Sequence, residues 1–132
     1  MPETFTAASL TGKEREAAIV ALGQRLAARF AERAPRHDRE GSFPFENFEE
    51  LKQAGCIKLT VPSEYGGDEI TLHELVLFLE QLAKGDGSTA LSLGWHLGSI
   101  LHLRTTRHWP EPIFARLCRL AVERGELYNG YV

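Results

Sequence analysis

Apolar residues recur at helical spacing in five separate stretches of this chain, and nowhere do they alternate for long enough to make an independent sheet. That periodicity predicts an all-α fold, a helical bundle of about five helices. Thr11-Gly12-Lys13-Glu14 has the form of a capping box, and Ile19, Leu22, Leu26 and Phe30 follow on one face until Pro35, whose missing N–H is expected to end the first helix. Pro44 opens a short aromatic helix with Phe45, Phe48 and Leu51, closed by Gly55. Residues 56–61 alternate weakly and read as a strand-like piece, and Pro62, Gly66 and Gly67 mark a loop after it.

Thr71-Leu72-His73-Glu74 repeats the capping-box pattern and starts a third helix, with Leu72, Leu75, Val76, Leu79, Leu82 and Ala83 as a broad apolar stripe. Gly85-Asp86-Gly87 breaks it. Ser88 is placed to cap a fourth helix over residues 89–104, which is apolar on most sides and is therefore expected at the centre of the core. Pro110 and Pro112 bracket the start of a fifth, carried by Ile113, Phe114, Leu117, Leu120 and Ala121 and ended by Gly125.

The 132 residues suit one domain, and 43% hydrophobic with 25% charged residues is the balance of a folded globular chain. Formal net charge is −3, which argues against a nucleic-acid partner. Residues 41–90 carry nine acidic and three basic side chains, a patterning that suits pairing within the molecule or between subunits. Cys56 and Cys118 lie far apart with no CxxC, so neither a zinc site nor a disulfide framework is expected. The N-terminus lacks a basic segment followed by an apolar run and no stretch is long enough to span a membrane, so a cytoplasmic location is expected.

Candidate chemistry concentrates on the fourth helix. At 100° per residue Ser88, Ser92, His96 and Ser99 fall near one line in an otherwise apolar surface, with Trp95 and His102 beside it. Polar groups on a buried helix need partners, so the line either bonds within the protein, hydroxyls to their own helix and a satisfied histidine, or borders a ligand cavity. Ala90, Gly94 and Gly98 form a face of small side chains that suits close helix packing or a flat ligand. His96, His102 and His108 cannot converge from one helix, and no metal motif, nucleophile elbow or phosphate loop is present. Glu80 and Asp86 have acid or base chemistry, but the commoner fate of such carboxylates is exposure or ion pairing. No catalytic, cofactor-binding or metal residue is therefore assigned.

Phe43-Pro44 with Phe48, Leu51 and Ala54-Gly55, then Val61-Pro62-Ser63-Glu64-Tyr65-Gly66-Gly67, resembles the N-terminal region of acyl-CoA dehydrogenases. Glu80-x-Leu82-Ala83-x-x-Asp86-x-Ser88 continues the resemblance in order and spacing, over roughly residues 10–128. The resemblance implies that residues 1–132 form the N-terminal helical domain, without the β-domain and C-terminal helical domain of that family, and that Tyr128-Asn129-Gly130 stands where the β-domain would begin. It implies α,β-dehydrogenation of an acyl-CoA thioester, with FAD, an electron-transfer acceptor and a homo-oligomer, the base and most of the flavin grip lying outside this domain. A wall of the acyl pocket is what transfers, as substrate-binding residues Ser88, Ser92, Trp95, His96 and Ser99. His96 keeps open a flavin-dependent monooxygenase of the same fold. A non-catalytic interaction module is the other alternative, with Leu79, Leu82 and Trp95 in a dimer seam.

Overall fold

A computed structural model describes residues 4–7 and 9–129; Gly130 and the second tail tyrosine, Tyr131, lie outside the described residues. The chain forms α1 (Gly12–Glu40), α2 (Phe45–Gln53), single 3-10 turns at Cys56–Lys58 and Ser63–Tyr65, α3 (Leu72–Gly85), α4 (Gly87–Thr106) and α5 (Glu111–Arg124). The all-α class and the five helices agree with the periodicity. No strand occurs among the described residues, so the strand-like reading of residues 56–61 is corrected: the run coils between Gly55 and Pro62. Its backbone instead finds partners on the far arm of the same loop, where Asp68 N–H donates to Lys58 O, Glu69 N–H to Val61 O and Ile70 N–H to Leu59 O at 2.9–3.2 Å.

Three helix boundaries differ from the expectations. Pro35 lies inside α1 rather than ending it, and the helix runs on to Glu40. One lost hydrogen bond is offset there by ties to α2, in which Arg33 pairs with Glu50 at 2.7 Å and Arg36 and His37 meet Glu46. Thr11 sits at the N-cap position of α1 without a side-chain cap bond, because Gly12 at φ +53° turns the backbone away from capping geometry. Asp86, not Ser88, caps α4: its Oδ1 accepts from Ser88 N–H at 3.1 Å. The capping box at Thr71 forms in full, with Glu74 N–H donating to Thr71 Oγ1 and Thr71 N–H to Glu74 Oε2.

The core joins Ile19, Leu22, Leu26 and Phe30 of α1 to Leu75, Phe78 and Leu82 of α3, Leu93, Leu97 and Ile100 of α4, and Phe114 and Cys118 of α5. Two glycines set the α1–α3 approach. A Cβ on Gly85 would lie 2.1 Å from Ala27 O, and one on Gly23 would lie 2.9 Å from Gln81 Cβ. Only hydrogen fits at that crossing, which lets the backbones meet and carries α3, with α4 attached through the single residue Asp86, to a fixed place on α1. No helix among the described residues is long and apolar enough to cross a membrane.

Candidate functional site

α4 has two sides with different fates, which corrects its expected burial at the centre of the core. Thr89, Ala90, Leu93, His96, Leu97 and Ile100 are buried, whereas Leu91 is 66% and Trp95 54% exposed. The broad stripe on α3 divides in the same way: Leu75, Phe78 and Leu82 enter the core, while Leu72 and Val76 stand in solvent. Between the exposed halves runs an open, mainly apolar groove of about 570 Å³, lined by Val76, Leu79 and Ala83 on α3 and Ala90, Leu91, Gly94 and Trp95 on α4, with Glu80, exposed and 3.8 Å from Lys84, as the charged group at its edge. Gly94 makes the groove floor, where an added Cβ would meet Leu79 Cδ1 at 3.3 Å. Large apolar side chains left in water beside a groove mark a surface that a ligand or another protein segment covers.

The inner side of α4 is braced against the 56–70 loop at three heights. Thr60 Oγ1 donates to Leu97 O at 2.9 Å, and Arg104 spans the loop with two bonds, to Thr60 O at 2.8 Å and Ile70 O at 2.9 Å. His96, 1% exposed, supplies the third: its Nε2 lies 2.8 Å from Ile57 O, and its Nδ1 2.9 Å from Tyr128 N. Burial pushes the His96 pKa below the usual imidazole value, with the Ile57 carbonyl opposing that shift.

The five residues singled out from the sequence are therefore not brought together. Ser88, Ser92 and Trp95 are exposed, Ser99 is half-buried, and His96 turns inward. Ser92 Oγ donates to Ser88 O at 2.9 Å and Ser99 Oγ to Trp95 O at 2.6 Å, so both hydroxyl protons stay on the helix. Both His96 nitrogens are used within the chain, which leaves the imidazole no free lone pair for a ligand. Leu82, placed in a possible dimer seam, is fully buried and cannot serve there. Leu91 was passed over by sequence reasoning; its i, i+4 spacing to Trp95 on a helix that already has a buried face was the available signal. Arg104 and Thr60 were missed because their partners are backbone carbonyls 34–44 residues away.

Near Asp86 a polar network ties α2 to the α3–α4 joint. Asp86 Oδ2 accepts from Thr89 Oγ1 at 2.6 Å, and the buried Asn47 amide donates to Thr89 Oγ1 at 3.0 Å and to Asp86 at 3.2 Å. Asp86 thus acts as the cap of α4 and as the joint between α3 and α4. No group of three or more His, Cys, Asp or Glu side chains able to hold a metal occurs among the described residues.

The acyl-CoA dehydrogenase N-terminal domain model matches residues 13–106. A protein of Bacillus subtilis (strain 168), provisionally named acyl-CoA dehydrogenase YdbM, is 40% identical over 105 residues, which is 80% of this chain and 27% of that protein. L-evernosamine nitrososynthase of a Micromonospora species is 36% identical over 114 residues, 82% of this chain and 27% of its own length. The crystal structure of a nitrososynthase from Micromonospora carbonacea var. africana superposes with a TM-score of 0.73 at 31% identity, over 90% of this chain and 32% of that one. The chain thus spans about a quarter to a third of the length of these relatives. A match across most of α1 to α4, an all-helical core of the same shape and relatives at this identity leave one conclusion: this chain belongs to the acyl-CoA dehydrogenase N-terminal domain family.

Proposed function

We propose that the α3–α4 face is one wall of the substrate pocket of a flavin-dependent, acyl-CoA dehydrogenase-like enzyme. The acyl chain would lie against Leu91, Gly94 and Trp95, with Ser88, Ser92 and Ser99 along its margin and His96 behind it. The observation that carries the reading is the exposed apolar bulk of Leu91 and Trp95 over a groove with few polar groups. Each acyl methylene buried against such a wall contributes about 0.8 kcal/mol, so a thioester with a hydrocarbon tail suits it better than a polar substrate. Acyl-CoA and an electron acceptor as partners, homo-oligomeric assembly and a cytoplasmic location belong to the same proposal.

Flavin, FAD by the family resemblance, supplies the hydride acceptor when bound. The described residues of the α3–α4 face do not make a flavin cradle: the Ser92 and Ser99 protons are held by their own helix, and the groove is open and apolar. This chain's share is shape and the exclusion of water, and no chemical step is assigned to it. A monooxygenase is the second reading, favoured by the 32% identity to dibenzothiophene monooxygenase of Rhodococcus erythropolis over 78 residues, 59% of this chain and 19% of that protein. Imidazole chemistry gives it no support, because His96 is bonded at both nitrogens.

The test grafts residues 13–129 in place of the matching segment of the Bacillus subtilis relative. With FAD and octanoyl-CoA in the absence of oxygen, the graft should bleach flavin, and it should turn over once an artificial electron acceptor is added; the 132-residue chain alone should do neither. Trp95→Asp in the graft should raise KM for octanoyl-CoA at least about tenfold, since a charge would be desolvated against the acyl chain. Bleaching with an unchanged KM removes Trp95 from the wall, and bleaching by the chain alone refutes the division of labour.

A further inference from the structure

His96 joins three parts of the fold. It links α4 to the turn at Cys56–Lys58 through Ile57 O, and to the segment after α5 through Tyr128 N. The two partners fix its chemical state without any choice of hydrogen position. A peptide N–H can only donate, so Nδ1 must present its lone pair to Tyr128; a carbonyl can only accept, so Nε2 must carry the proton toward Ile57. The ring is therefore the neutral Nε2–H tautomer. The Tyr128 ring lies over the imidazole with centroids 5.9 Å apart and planes at 23°.

We propose that His96 is a positioning residue whose neutral imidazole latches residues 127–129 onto α4, and that acid opens this latch. Protonation puts a hydrogen on Nδ1 directly opposite the Tyr128 N–H, so an acceptor becomes a second donor and the contact turns repulsive. The Ile57 bond survives, because Nε2 keeps its proton. Opening is therefore local: the segment after α5 leaves while the turn stays in place. The backbone bonds from Gly125 N–H to Ala121 O and from Glu126 N–H to Leu120 O lie before the latch and set where the segment would hinge.

Few other groups compete for this titration. On the turn, Cys56 is buried with its thiol pushed well above its ordinary range, and Lys58 is paired with Asp68 at 2.8 Å. On the segment itself, burial and a bond to Glu126 push the Tyr128 phenol up to about 12. From α5, Arg116 and Cys118 act on that phenol, with Cys118 raised to about 11 mainly by burial. From α2, Glu46, Glu49 and Lys52 line one surface groove together with Leu127. None of these is a cause of the His96 shift, which comes from burial against the Ile57 bond. The sign follows. Because the folded pKa lies below the ordinary value of about 6.5, the latch is fully closed above that pH and is lost as the pH falls through the folded value.

The inference does not rest on the proposed enzymatic reading, and its test uses the 132-residue chain. Amide hydrogen exchange at Tyr128, corrected for intrinsic rates, should accelerate roughly tenfold or more as pH falls through the folded His96 value, the equivalent of losing one buried hydrogen bond. Amides in the middle of α1 should keep their protection. His96→Asn places an amide oxygen near Nδ1 and has no titration, so it should hold Tyr128 protected with no pH dependence. His96→Gln reaches toward Ile57 alone and should leave Tyr128 unprotected at every pH. Imidazole nitrogen shifts of the unaltered chain read the tautomer directly should a variant fail to fold. A protonated Nδ1 at pH 7.5, or a Tyr128 amide whose protection ignores pH, overturns the proposal.

Discussion

Arg104→Met tests the bracing of α4 most directly. The arginine gives one N–H to Thr60 O at 2.8 Å and another to Ile70 O at 2.9 Å, closing the two arms of the 59–70 loop over the helix. Methionine keeps an unbranched apolar stem and removes both donors, so packing changes little and the loss is that of the hydrogen bonds. Bonds from a charged donor contribute about 1.5–3 kcal/mol each, and the partial exposure of Arg104 argues for the low end, which gives about 3 kcal/mol for the pair. For a chain of this size that corresponds to a fall in Tm of about 10 °C. Urea unfolding should show the midpoint moving with an unchanged slope, because the surface exposed on unfolding is the same. Arg104→Lys should recover about half the loss, since an ammonium head has charge but not the fork that reaches two carbonyls. A Tm within about 2 °C of the parent for Arg104→Met would refute the bracing argument, because on this scale two such bonds cannot vanish unnoticed.

Two further outcomes concern the buried thiols and the glycines. Cys56 and Cys118 are both buried, and burial raises both thiols, so a disulfide reagent at pH 8 should label neither in the native chain and both in guanidinium; rapid native labelling would contradict their place in the core. Gly85→Ala should cost about 3 kcal/mol, since its Cβ would meet the Ala27 carbonyl at 2.1 Å and backbone cannot rotate aside. Gly98→Ala, with nothing within 4 Å of its Cβ, should instead gain up to about 1 kcal/mol in helix propensity; thermal melts that reverse this order would refute the account of the α1–α3 crossing.

What could be read from the residues alone follows how local each signal is. The Thr71 capping box depends on four consecutive residues and forms as expected, whereas the same pattern at Thr11 fails because Gly12 adopts a backbone angle no pattern reveals. Pro35 was expected to stop α1 by a local rule, and ion pairs from α2 overrule it. α4 looked wholly buried because hydropathy does not distinguish a side packed by this chain from a side meant for something else. His96 was legible as a polar residue in an apolar setting, but its partners lie 39 and 32 residues away, and only the fold shows that they use both nitrogens. Trp95 and Gly94 were legible as features of α4, but the groove they share with α3 was not, because no periodicity reports the exposure of Val76 and Leu91.

The three anchors on the concealed side of α4 act together as a keel. Turning the helix by one residue, about 100°, would tear all three from the loop at once, so the azimuth of its outward side chains is set by residues that no visiting molecule touches. Positions 91, 95 and 99 can then change size or polarity without loosening the rod that carries them. A scaffold so arranged separates what keeps it upright from what it displays, which lets one helical platform be refitted for unlike cargoes.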